Sequence, residues 1–410
     1  MPLASGTRLR SSDEVVAAAL ATVVALALTS WRGTAASLGT QAPAAQTAMP
    51  GADPARARVT AGADRLYDTA RLHRIDIVIA PADAAQIVFR RPDRVRATFT
   101  IDGRTIRDVG VRQSGGIYHP YLPVEAKPSL SVKFDEFVAG QTLFDLDKLI
   151  LKNELQDISF LSEHLTYEVF RRAGLAAPLT AHAQVTINGI DDGIYLMREP
   201  VDKSFLARNF GSAFTNGNLY EIENRVDFVA APMAPKLDDE GKKGRTRADM
   251  VALASAVQAA TPESFVREVS GRVDLDRLAT FLAVETATVH WDSLSFNNNN
   301  TYMYAHPKDG RFIFIPWGAD QTLGLGRGMM RSLTPQSWLV AQMMSVPTLA
   351  ARVRAEVTRV GTEPVWNQKV LRDRIAEVAR ILATADQTGR TASDVARFTS
   401  FRPQVEQAIK

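Results

Sequence analysis

Apolar residues recur along this chain in two rhythms, first with a period of two and then with the period of a helix. Arg74–Ala80 (RIDIVIA) alternates apolar and polar positions, and Val95–Ile101 (VRATFTI) runs through Asp102-Gly103 into Thr105–Arg112, which predicts a hairpin. Ser129–Phe134 (SLSVKF) and Lys148–Lys152 (KLILK) read as strands by composition. Between Ser159 and Ala173, Phe160, Leu161, Leu165, Val169 and Phe170 recur at helical spacing, and Gly174 stands where a helix would stop. Ala183–Ile187 and Gly193–Met197 then flank the Asn188–Asp192 turn of a second hairpin. The sheet is expected to end near Glu199-Pro200.

After Val201 the helical period takes over. It predicts helices over Asp202–Phe210, Arg247–Ala259, Pro262–Val269 and Leu275–Val289, the last apolar enough to be buried. A short hairpin, Thr301–Ala305 with Arg311–Ile315, interrupts them before further helices run from about Thr348 to the C-terminus. Strands with one helix first, then helices with an inserted hairpin, predict an α+β architecture of two lobes: a sheet-rich N-lobe over 65–200 and a mostly helical C-lobe over 201–410.

Residues 1–60 follow neither rhythm. Arg8 and Arg10 precede an apolar run, Val15–Ser30, and Ala/Gly/Thr/Pro-rich sequence follows to about Ala55. This order predicts an export signal or an uncleaved membrane anchor, then a flexible tether, although Asp13 and Glu14 weaken the basic region. The expected location is therefore exported or membrane-anchored.

Composition narrows the chemistry. With 46% apolar residues in 410, the chain can bury a large core. Its 48 basic and 45 acidic residues leave a formal charge of only +3, so bulk charge does not suggest nucleic acid as a partner. Cysteine is absent, which removes disulfides, thiolate metal sites and a Cys nucleophile. The histidines lack the H-x-x-x-H spacing of a zinc helix, and Ser114 lacks the leading glycine of a hydrolase elbow, where Arg112 stands.

One constellation remains. Phosphoryl transfer asks of a protein a carboxylate to orient the attacking hydroxyl, and an amide and a second carboxylate to hold Mg²⁺ on the phosphates. His290-Trp291-Asp292 directly follows the apolar helix, and Asp292 with Asn297 fits the D-x-x-x-x-N spacing of a kinase catalytic loop. The strand ending at Ile315 then delivers Asp320, with Gly324 beyond it, and antiparallel strands would return Asp320 towards the loop of Asp292. Taken singly, Asp292 is an ordinary helix-end carboxylate and the Asn297–Asn300 tract an ordinary polar turn. Joined in this order, they match the template.

The blocks Gly110-Val111-Arg112, Lys127-Pro128-Ser129 with Val132-Lys133-Phe134, Asp157-Ile158-Ser159, Asn188-Gly189 through Gly193-Ile194-Tyr195 to Asp202, Gly217–Tyr220, Asn297–Tyr304 and Pro316–Gly324 resemble those of the CotH family of atypical protein kinases. The resemblance covers about residues 74–330. It implies a kinase-like bilobal fold, ATP with Mg²⁺ or Mn²⁺, and transfer of the γ-phosphate to Ser or Thr of a protein substrate. By that resemblance Asp292 is the catalytic residue, Asn297 and Asp320 are metal ligands, and Lys127 meets the phosphates, with Lys152 in reserve. Arg112 is placed beside the nucleotide, Glu199 where a hinge would meet adenine, and Glu163 as the helical partner of the lysine. The chain departs from the family pattern in Gln113-Ser114-Gly115-Gly116, where relatives resemble Arg-Gly-Asn-x-Ser. Gly318 also replaces the first acid of a Trp-Asp-x-Asp block, Glu221 stands in place of a Lys, and Ser162 in place of an Arg. These departures keep open the alternative of a weak or inactive kinase fold acting in spore-coat or envelope assembly. Gly324–Gly328 reads as the start of an activation-type segment.

Overall fold

The computed structural model describes residues 53–84, 93–115, 126–222, 225–231, 233, 236, 247–325 and 336–410. The apolar export or anchor segment lies outside them. Among the described residues no helix is long and apolar enough to cross a membrane. All of the described residues fall within a single unit, Asp53–Lys410.

The period-two segments form a closed barrel. Its strands are β1 (His73–Ile79), β2 (Val95–Ile101), β3 (Arg104–Gln113), β4 (Leu130–Lys133), β5 (Lys148–Lys152), β6 (Thr180–Ile187) and β7 (Ile190–Arg198). They pair in the order β1-β2-β3-β4-β5-β7-β6, and a parallel β1–β6 pairing closes the ring. Closure was not foreshadowed by the local pattern, because residues more than a hundred positions apart must meet: His73 pairs with Ala183 and Ile77 with Ile187. Alternation fixes the faces. Ile75, Ile77, Phe99, Val109, Val111, Leu130, Val132, Leu149, Leu151, Tyr195 and Met197 fill the interior, each fully buried side chain contributing roughly 1.5–3 kcal/mol.

Both hairpins turn on two residues with positive φ, Asp102-Gly103 (47° and 81°) and Asn188-Gly189 (51° and 77°), the geometry that matches strand twist. The second turn is therefore shorter than its Asn/Gly/Asp-rich sequence implied. Ile190–Asp192 belong to β7 and not to the loop.

A helix α1 (Pro54–Leu66), capped by Asp53, plugs the barrel with Ala63, Leu66 and Tyr67. Residues 54–60, expected to belong to the tether, are instead its first turns. A single turn, α2 (Pro81–Ala84), follows β1. Between β5 and β6 lies α3 (Ser162–Arg172), buried on nearly every side. Its Phe170 ring lies 5.2 Å from Phe281.

The later elements are α4 (Lys203–Phe210), β8 (Leu219–Ile222), α5 (Ala248–Ala259), α6 (Phe265–Val269), α7 (Leu275–Ala287), β9 (Thr301–Ala305), β10 (Phe312–Pro316), α8 (Trp338–Ser345), α9 (Pro347–Val360), α10 (Gln368–Leu382) and α11 (Gly389–Ala408). The architecture is thus α+β. The inserted hairpin β9–β10 gains a third strand, β8, which four residues without clear alternation did not announce. The last helix returns to the barrel. Asp394 on α11 accepts from the Ile194 backbone N–H at 2.8 Å, and Thr391 donates its backbone N–H to Asp191 at 2.8 Å.

Under α3, the buried rings of His164 and His182 lie 5.3 Å apart. His164 Nδ1 meets Thr180 Oγ1 at 2.8 Å and His182 Nε2 meets the Phe160 carbonyl at 2.8 Å. Burial pushes His182 down to about 4, and burial with the neighbouring His182 pushes His164 well down. Because the folded value is depressed, stability is unaffected above an unfolded value near ~6.5. It falls as pH drops towards 4, since only the unfolded chain takes up the proton. His182 alone should cost roughly 3 kcal/mol over that window. Urea unfolding of wild type and His182→Gln at pH 7 and pH 4.5 reads this contribution as a difference, which separates it from Glu285, raised to about 7 by burial and acting in the opposite direction. Equal pH slopes for the two proteins would refute it.

Candidate active site

The catalytic-loop candidate grows out of the end of α7. Val289 N–H donates to the Thr286 carbonyl at 3.2 Å and His290 N–H to the Glu285 carbonyl at 2.9 Å, the paired bonds of a Schellman motif. The left-handed residue of that motif is ordinarily glycine, yet here Val289 takes φ +52. A β-branched residue there stores about 1–3 kcal/mol of strain. Glu285 offsets it by gripping the loop, since its buried carboxylate accepts from the backbone N–H groups of Leu294 (3.2 Å) and Ser295 (3.1 Å) and from the Ser295 hydroxyl. Nothing in the periodicity of α7 distinguished this buried acid from its apolar neighbours.

Asp292 sits inside a ring of amides. Asn297 Nδ2 and Asn299 Nδ2 donate to Oδ1, the latter at 3.0 Å, and Asn300 Nδ2 donates to Oδ2 at 2.8 Å. The asparagine tract thus orients the carboxylate. Asn297 turns its other atom outward, where Oδ1 accepts from Arg225 Nε at 2.6 Å.

The hairpin β9–β10 joins a second loop to the first. Trp317 N–H donates to the Asn300 carbonyl (3.1 Å) and Leu323 N–H to the Thr288 carbonyl (2.8 Å). His290 Nε2 meets the Trp317 carbonyl at 3.2 Å, and Asn300 Nδ2 reaches the Gly318 carbonyl at 3.3 Å. Gly318 lies at φ +52, and a Cβ there would approach Asn300 Cγ to 2.6 Å. The Asn300 carboxamide therefore occupies the space that a side chain at 318 would need.

Asp320, two residues on, is buried and pairs with Lys152 Nζ at 3.2 Å. Burial first, and then Glu163, raise its carboxyl above the usual range. Barrel register explains the lysine: Arg112, Ser131, Ile150 and Arg198 pair in one row, Lys152 pairs with Leu196, and all alternate away from the packed interior. One outer face of the barrel thereby carries Arg112, Lys133, Lys148, Lys152 and Arg198.

Three expected roles meet different partners. Lys127 is directed at the C-terminal helix, its ammonium 2.5 Å from Asp394 and stacked on Phe160 and Tyr195, so the lysine brought to Asp320 is Lys152. Its backbone at φ +62, just before β4, aims it that way. Glu163 bonds Arg198 Nη1 (2.7 Å) and Tyr167 (2.6 Å), and against its burial the charges of Arg198 and then Lys152 hold its carboxyl below the usual range. Glu199 gives both oxygens to Arg208 and accepts from the Leu179 N–H at 3.0 Å, so its carboxylate ties α4 to the barrel and is not presented as a hinge. Arg112 lies on the basic outer face of the barrel. Of the Gln113–Gly116 stretch only residues up to Gly115, and of the segment expected to start at Gly324 only Gly324 and Leu325, are among the described residues.

A divalent cation fits this charge distribution. Glu154 is buried with φ +56, and neither carboxylate oxygen has a hydrogen-bond partner among the described residues. Burial, followed by the acids Asp157 and Glu163, holds it well above the usual carboxylate range. Unpaired buried acid of this kind calls for a proton or a cation. No group of three or more His, Asp or Glu side chains forms a ready-made cage among the described residues. Mg²⁺ is commonly held by one or two carboxylates together with phosphates and water. Asp320 and Asn297 are the groups that would hold it.

Comparison with known proteins places these features in context. The "CotH kinase protein" family model matches residues 124–391, about two thirds of the chain. Inner spore coat protein H of Bacillus subtilis (strain 168) is 25% identical over 198 residues, covering 46% of this chain and 53% of that protein. The chain thus matches about half the length of that relative. Among solved structures, the Helicobacter pylori proinflammatory kinase CtkA aligns at 10% identity and a TM-score of 0.26, over 68% of this chain and 92% of that one. The Shewanella oneidensis MR-1 toxin–antitoxin protein HipA, solved with HipB and operator DNA, aligns at 10% identity and a TM-score of 0.31, over 81% and 67%. With two thirds of its length matched by the family model and both catalytic-type loops inside the match, the chain belongs to the CotH family.

Proposed function

We propose that this chain is a protein kinase that moves the γ-phosphate of ATP to Ser or Thr of a protein substrate with Mg²⁺ or Mn²⁺. In this reading the barrel with α3 serves as the N-lobe and the later helices with the three-stranded sheet as the C-lobe. The observation that carries it is the set of hydrogen bonds joining the Asp292 loop to the Asp320 loop, with Lys152 at Asp320. The metal would neutralise charge on the phosphates. Asp292, held by three amides, orients the acceptor hydroxyl and takes its proton on a carboxylate oxygen. Lys152, now at Asp320, would meet the phosphates once a cation neutralised Asp320, and Glu163 with Arg198 keeps α3 against the barrel. The coat protein among its relatives suggests a coat or envelope setting, consistent with export.

A second reading is a kinase fold retained for assembly. It is favoured by the internal satisfaction of the site, in which Asp292 is taken by amides, Asp320 by Lys152 and Asn297 by Arg225, and by the lack of an acid at 318. The deciding experiment incubates the full chain with γ-labelled ATP, Mn²⁺ and a casein-type acceptor. Metal-dependent label on protein supports the kinase. Absence of both transfer and nucleotide binding overturns it in favour of assembly.

A further inference from the structure

Arg225 belongs to no motif, yet it makes the nearest cationic contact to the catalytic-loop candidate. Its Nε donates to Asn297 Oδ1 at 2.6 Å, and the same carboxamide donates to Asp292 Oδ1. One asparagine thus bridges a guanidinium and the carboxylate assigned to the acceptor hydroxyl. The side chain is exposed, and its terminal amino groups make no hydrogen bond or ion pair among the described residues. Its contact is with the Asn297 carboxamide, and the Asp292 oxygens accept from the amides of Asn297, Asn299 and Asn300.

The arginine stands on a fixed base. Phe228 and Val229 are buried in the core, while Asp227 accepts from Val229 N–H at 2.9 Å and from Trp338 N–H at 2.7 Å at the head of α8. Arg225 itself takes φ +63, a conformation that costs an arginine about 1–3 kcal/mol and persists where the surroundings impose it. A planar fork of donors, charged at any physiological pH, suits two oxygens of one phosphate better than a lysine does.

We infer that Arg225 binds the transferable phosphate, leaving Asn297 when a nucleoside triphosphate with its cation enters and supporting charge on the phosphoryl group as it passes to the acceptor. The inference rests on the kinase reading. A contact with an acidic residue of the protein acceptor is the competing role, and the position of Asn297 between Arg225 and Asp292 favours the phosphate.

The test is calorimetric titration of the full chain and of Arg225→Ala and Arg225→Lys, in Mn²⁺, with the non-hydrolysable triphosphate AMP-PNP and with ADP. Arg225→Ala should weaken AMP-PNP about tenfold or more and leave ADP within about twofold, the signature of a lost charge-assisted contact to one phosphate. Arg225→Lys should recover part of the loss. Equal weakening of both nucleotides would assign Arg225 a structural role through Asn297, and unchanged affinity for both would assign it to the acceptor or to solvent. Either overturns this inference alone. Binding of neither nucleotide by the unaltered chain overturns the kinase reading with it.

Discussion

Asp292→Asn should lower phosphotransfer by on the order of 10³-fold while the protein stays folded, because in the kinase reading it removes the group that takes the acceptor's proton. The substitution keeps the side-chain volume and one accepting oxygen. Of the three amides around Asp292, those on the retained oxygen keep their partner, and those on the replaced oxygen face an NH₂ group. The stability cost is about 1 kcal/mol, the usual value for one hydrogen bond. Initial rates with labelled ATP at saturating Mn²⁺, beside a urea melt of each protein, separate the two effects. A loss below tenfold would remove Asp292 from the reaction.

Lys127→Met is expected to act in the opposite sense, on stability and not on nucleotide binding. The ammonium lies in a buried pair with Asp394, and both side chains are nearly inaccessible. Removing one member of such a pair typically costs about 3–5 kcal/mol, because the other charge stays buried. Asp394 keeps the Ile194 N–H and Arg397, which places the expected loss near the lower figure. Adding Asp394→Asn should recover part of it. Lys152→Met, whose ammonium faces Asp320, should lose nucleotide affinity in addition to the stability lost when Asp320 is left buried without its partner. If Lys127→Met instead abolishes nucleotide binding in a protein of unchanged stability, the two lysines exchange roles.

These contrasts show where local sequence is informative. Asp292, Asn297 and the hairpin leading to Asp320 lie within thirty residues, so their order already implied a shared loop region. Lys127 is different. Its partner is 267 positions away on α11, and no local pattern announces that the last helix returns to the barrel. Glu199 and Glu163 take guanidinium partners, Arg208 nine residues on and Arg198 thirty-five residues on, which alternation and helical spacing do not single out. The strands themselves were plain from alternation, but closure through β1 and β6 depends on parallel pairing across most of the barrel's sequence. Arg225 left no signal because its value lies in one hydrogen bond to a loop that comes much later in the chain.

Gly318 and Asn300 carry a last consequence. The absence of a side chain at 318 is what lets the Asn300 carboxamide reach both Asp292 and the Gly318 carbonyl. The two positions are epistatic. An acid restored at 318 alone would push that carboxamide off Asp292, so a route back to a paired-acid site passes through a damaged intermediate unless 300 is shortened in the same step.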